Sequence, residues 1–213
     1  MLSPDPLPTP HAREALLRRG RWLALVSLGY MTLEGGASLV AGALAGSVAL
    51  VGFGLDSMIE LASNAAALHR LGADSQVERR ARAERRAQRV IAASFVALAL
   101  YVTGGALRSL WRREAAAPST LGLIVAGTSI MIMPLLARAK RRVAAGLDSR
   151  ALRADARQAD FCAYLSSILL GGLALNAWLG WWWADPAAAL VMAPIIAREG
   201  IRGWRGDDCC DAS

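Results

Sequence analysis

Apolar runs of about twenty residues, separated by short arginine-rich stretches, make up most of this chain. A helix rising about 1.5 Å per residue needs roughly that length to cross a hydrocarbon core about 30 Å thick. In lipid every backbone N–H and C=O must be satisfied internally, so such runs can only be helices. Composition agrees: 55% of the 213 residues are hydrophobic, against about 45–50% in soluble domains. The chain is read as an all-α membrane protein with six transmembrane helices.

The runs fall at about 22–46, 48–71, 90–110, 118–136, 151–179 and 186–202. Residues 1–21, proline-rich and then basic, read as a disordered cytosolic lead-in without a cleavage site. Residues 22–204 read as the membrane domain and 205–213 as a short cytosolic tail. Pro118 suits the first turn of the fourth helix and Pro186 the start of the sixth. The tryptophans of GWWWADP suit the membrane–water interface. No stretch outside the runs is long enough for a soluble domain.

The formal net charge of +7 would suggest a nucleic-acid partner in a soluble chain. Here the arginines lie between membrane segments, where lipid headgroups and orientation account for them, and no nucleic-acid partner is expected. The first and last hairpins carry no Arg or Lys, and the loop after the third run holds Arg108, Arg112 and Arg113. The opposite side carries far more: Arg13 to Arg21, seven arginines from Arg70 to Arg89, the RAKRR cluster, and Arg198, Arg202 and Arg205. This asymmetry predicts both termini in the cytoplasm, with the chain in a plasma or inner membrane. The three cysteines form no disulfide framework.

Ionisable groups inside membrane helices are costly and usually functional. The second run carries Asp56 and Glu60, four apart and so on one helical face. Two such carboxylates repel unless a cation, a shared proton or an arginine stands between them. A divalent cation suits oxygen ligands and offsets both charges; the plainer reading is a structural salt bridge or proton-sharing pair. In the fifth run Asp155, Gln158, Cys162 and Ser166 fall within roughly 80° of arc. Gln158 offers a carbonyl oxygen. Cys162 reads either as a thiolate ligand, which favours softer metals such as zinc, or as a small core residue. Asp160 points to the opposite side of that helix. In the first run Ser27, Tyr30, Glu34 and Ser38 form a similar stripe, with Glu34 a secondary ligand, a proton carrier or a partner of a neighbouring hydroxyl. Asp185 reads as an N-cap of the sixth helix or an acidic gate at the outer mouth. His11 and His69 make no ligand pair. The tail DDCCD reads as a polar terminus or a weak metal site, and Gly42 and Gly46 mark a close helix approach that a dimer could use. No HExxH, Ser/His pair or phosphate loop is present, so neither an enzyme nor a prosthetic group is expected.

Three strings carry a resemblance. GSVALVGFGLDSMIELAS resembles the second membrane helix of cation diffusion facilitator (cation efflux) proteins, where two acids bind the transported metal. LRADARQADFCAYLSS resembles the start of that family's fifth helix, and WWADPAAALVMAPII its sixth. The resemblance covers about residues 22–202. It implies a metal site from Asp56, Glu60, Gln158 and Cys162, with Glu34 and Asp155 secondary. Gln158 and Cys162 stand where the family has His and Asp, and Glu60 where it has Asp. The sequence ends at Ser213 without the cytosolic domain that follows the sixth helix in that family, which marks a short, divergent branch. The implied function is divalent metal transport, zinc-like, as efflux by proton antiport in a homodimer. A non-transporting membrane metal-binding or regulatory protein is the alternative.

Overall fold

The computed structural model describes residues 10–71, 77–147 and 150–205; for 10–13, 63, 65–71, 77–88, 150, 151 and 154 it describes the backbone alone. The tail cysteines Cys209 and Cys210, and the side chains of His11, Ser63 and His69, lie outside the described residues. Six helices follow in order: α1 (Pro10–Ala45), α2 (Val48–Leu71), α3 (Val77–Arg112), α4 (Thr120–Leu147), α5 (Arg150–Leu179) and α6 (Ala184–Arg205).

Local chemistry sets several of these boundaries. At the end of α1, Gly46 takes the left-handed conformation (φ 65°) and the Ser47 N–H reaches back to the Gly42 carbonyl at 3.0 Å. That is the hydrogen bond of a Schellman stop, and glycine meets its backbone demand without a Cβ penalty. Ser47 then caps α2, its Oγ accepting from Leu50 N–H at 3.0 Å. Ser119 does the same for α4 through Gly122 N–H at 3.0 Å. Pro118 therefore stands before the fourth helix rather than in its first turn.

Both arginine-bearing flanks are helical over much of their length. Residues 10–21, expected to be disordered, are the first turns of α1. The arginine-rich stretch from Val77 belongs to α3, which runs 36 residues; Ala, Arg, Glu and Gln all favour helix and continue it beyond the apolar run.

Among the described residues, four helices, α1, α3, α4 and α5, are long and apolar enough to cross a membrane. The other two carry Asp56 and Glu60, or Asp185, Arg198 and Glu199. The polarity of α2 is tolerable because α2 is wrapped by α1, α3, α5 and α6. The most extensive packing joins α4 to α5, α3 to α6, and α1 to both α2 and α4. The bundle thus divides into a four-helix group, α1, α2, α4 and α5, and a two-helix group, α3 and α6. The seam between them is formed by narrower contacts of α6 with α5 and of α2 with α3 and α6.

The core is filled by Leu50, Phe53, Met133, Leu165, Leu169, Met192 and Ile196, all inaccessible to solvent. Large side chains such as Leu33, Leu44, Met131 and Trp178 face outward, the inverse of a soluble surface and the arrangement lipid requires. α1 and α2 approach closely at two levels: a Cβ on Gly42 would lie 2.7 Å from the Val51 nitrogen, and one on Gly54 2.9 Å from the Leu39 nitrogen and 3.1 Å from the Gly35 carbonyl oxygen. Of the glycines singled out in the sequence, Gly42 serves this same intrachain contact, packed on Val51 and its backbone, and Gly46 forms the turn.

Candidate cation site

The α2 segment from Phe53 to Glu60 is the centre of the bundle, and its inward face is set by the four-residue repeat Phe53, Ser57 on one line and Asp56, Glu60 on the next. Asp56, Ser57 and Glu60 are fully buried. Neither Asp56 nor Glu60 has a hydrogen-bond partner on either carboxylate oxygen. Among the described residues no lysine or arginine pairs with them. A buried acceptor without a donor costs about 1–3 kcal/mol, and an uncompensated buried charge several more. Four such oxygens, one helical turn apart and turned toward protein rather than lipid, form an arrangement that is favourable with a cation or protons and unfavourable without.

The fifth-helix residues divide. Cys162 is fully buried, and its Sγ donates to Glu34 Oε2 at 3.6 Å and lies 3.9 Å from Ser129 Oγ. Ser166 Oγ is 2.8 Å from Ser129 Oγ and 2.7 Å from the Cys162 carbonyl. Cys162 is also within electrostatic reach of Asp56 and Glu60. It therefore joins the acid pair to a second polar cluster made of Glu34 from α1, Ser129 from α4 and Ser166. Glu34 is buried with Oε1 unpartnered, as are Tyr30 Oη and Ser38 Oγ on the same stripe of α1. Gln158 is half-buried beside Glu60, close enough to influence its carboxylate, without closing a hydrogen bond.

Asp155 is engaged elsewhere. Its Oδ1 accepts from Lys140 Nζ at 2.8 Å, and Lys140 is fully buried. Expected as a secondary ligand, it serves in this arrangement as the counter-ion of an α4 lysine. Asp160 pairs with Arg141 on the exposed side of α5. Asp185 caps α2 as well as lying in the first turn of α6: its carboxylate accepts from Ser47 Oγ and from the Val48 N–H at 3.0 Å. It thereby ties the start of α6 to the start of α2. Among the described residues no three His, Cys, Asp or Glu side chains converge as a ready-made metal cage.

One acid near the site has no place in the sequence reading. Glu199 of α6 is close enough to act electrostatically on both Asp56 and Glu60 across the seam. The available signal was register: Met192 and Ile196 are buried on one stripe of α6, and Glu199 continues it one turn further.

A helical bundle with a lipid-facing exterior and a carboxylate pair at its centre is an integral membrane protein built to handle charge inside the bilayer. Comparison with known proteins gives it a family. Residues 24–203 match the cation efflux transmembrane domain, and the chain belongs to the cation efflux family. It is similar to the cation-efflux pump FieF of Shewanella oneidensis, 30% identical over 81 residues. That stretch covers 38% of this chain and 27% of the relative, so the match spans about a quarter of the relative's length.

Proposed function

We propose that the chain carries a divalent, zinc-like metal cation across the membrane, exchanging it for protons at the Asp56–Glu60 pair. The observation that carries this reading is the burial of both carboxylates with all four oxygens unpartnered by protein. A doubly charged cation offsets both acids at once, and so do two protons, but the same oxygens cannot hold both. A proton gradient can therefore displace the metal on one side and allow rebinding on the other. Cys162 and Gln158 complete the coordination from α5, the thiol biasing it toward softer metals. Glu34, hydrogen-bonded to Cys162, would accept the thiol proton as metal arrives. The arginine asymmetry between the two ends of the bundle favours both termini in the cytoplasm, and an inward-directed proton gradient would drive the cation outward. In this reading the α3–α6 group shifts against the other four helices and exposes the acid pair alternately along the seam, with a homodimer as the working unit.

The test is uptake by proteoliposomes of purified chain under an imposed pH gradient. Zinc flux should follow the gradient, reverse with it, and collapse when a protonophore dissipates it. Saturable metal binding with no vesicle uptake would replace transport by a non-transporting, metal-binding role.

A further inference from the structure

The outer face of the α3–α6 group carries a groove that the cation pathway does not use. It has a volume of about 430 Å³ and is lined by Ala93, Val96, Ala97 and Leu100 of α3 with Ile201 and Trp204 of α6, closing on Arg205. Beside it, sharing Ile201 and Arg205, is a second hollow edged by Arg198 and Arg202. The first is almost wholly apolar, and Leu100, Ile201 and Trp204 are 69%, 47% and 60% exposed. The second is lined by these three arginines together with Pro194, Ala197 and Ile201. All three arginines are exposed, and among the described residues none pairs with an acid.

Depth distinguishes this face from an ordinary lipid-exposed surface. From Ala184 to Arg205 α6 has 22 residues, about 33 Å of rise and one hydrocarbon thickness. Arg202 and Arg205 therefore fall at headgroup level, with Trp204 at the interface that tryptophan prefers. The groove runs from there toward the bilayer interior, Leu100 lying eleven residues, about 16 Å, below Arg89, where the apolar span of α3 begins. An apolar trough at acyl-chain depth, opening onto Arg202 and Arg205 at phosphate depth, with Arg198 two turns below Arg205, matches a lipid with a negative headgroup in both shape and charge.

We propose that this groove binds an anionic phospholipid, its acyl chain between α3 and α6 and its phosphate on Arg202 and Arg205, with the long side chain of Arg198 reaching toward it from below. A zwitterionic lipid offers the same chain but cancels the charge on which the arginines act. A second copy of the chain would fill the trough with side chains and leave the arginines unmatched.

The experiment is a lipid titration of the full chain in uncharged detergent, read by melting temperature. Phosphatidylglycerol and cardiolipin should raise it and phosphatidylcholine should not. Arg202→Gln with Arg205→Gln should weaken the apparent affinity roughly 25-fold, at about fivefold per arginine. Ala97→Trp, which fills the trough and leaves every charge in place, should weaken it as well. Arg18→Gln with Arg19→Gln, exposed on α1 and away from the groove, should titrate like the native chain. The proposal is overturned if the groove variants bind as the native chain does, if phosphatidylcholine serves equally, or if Ala97→Trp leaves lipid binding intact and instead turns a dimer into a monomer.

Discussion

Replacing Asp56 by asparagine should reduce metal flux by at least about 100-fold while leaving the melting temperature of the purified protein equal to or above that of the native chain. The flux loss follows from chemistry. Changing a group that merely orients a metal ligand costs 10–100-fold, and Asp56 is argued to be a ligand itself. The stability result follows from the same burial. Asp56 is inaccessible and both oxygens lack a donor, so the folded protein carries a desolvation cost that a neutral, isosteric amide reduces. Loss of transport combined with gained or unchanged stability separates a binding residue from a structural one. If Asp56 were instead half of a structural pair, Asp56→Asn would lower the melting point and flux would fall only as far as the folded fraction. Proteoliposome uptake and thermal melting of the same preparation decide between the two.

The second large effect lies away from the acid pair. Asp155→Ala should destabilise the protein by about 3–5 kcal/mol, since it strands the fully buried Lys140 without its counter-ion. For a chain of this size that is a fall of order 10 °C in melting temperature. Adding Lys140→Met to the same variant should restore most of the loss, because an apolar side chain of similar length needs no partner there. If Asp155→Ala melts like the native chain, the 2.8 Å contact has no energetic weight and Asp155 returns to the candidate ligands. If the double variant melts as low as the single one, the destabilisation comes from something other than the stranded charge.

The sequence was most informative where one helix controls its own fate. The start of α2 at Val48 was legible because the Gly46-Ser47 pair is both a helix stop and a cap. Asp56 and Glu60 were legible because charge within an apolar run is rare and four-residue spacing fixes their face. The pairings between helices were not legible. That Lys140, in a basic cluster that looks solvated, would be buried against Asp155 depends on the register of α4 against α5. That Asp185 would cap α2 rather than only its own helix depends on α6 beginning beside the α1–α2 turn. Glu199 sits among arginines near a helix end and reads as surface until the seam places it against α2. The glycine pattern was legible in part: Gly42 does mark a close helix approach, but that its partner is Val51 of the same chain, and that a second close crossing lies at Gly35 and Gly54, depends on the α1–α2 packing.

The most direct measurement is the melting temperature of the native chain and of an Asp56→Asn/Glu60→Gln variant across a zinc titration, under conditions where both are folded. A ligand bound only by the folded state stabilises it by about 2.7 kcal/mol at one hundred times its dissociation constant, so the native curve should climb with zinc while the variant's stays flat. Equal climbs in the two proteins would mean that the metal sits elsewhere and that the buried carboxylates of α2 are not the transport site.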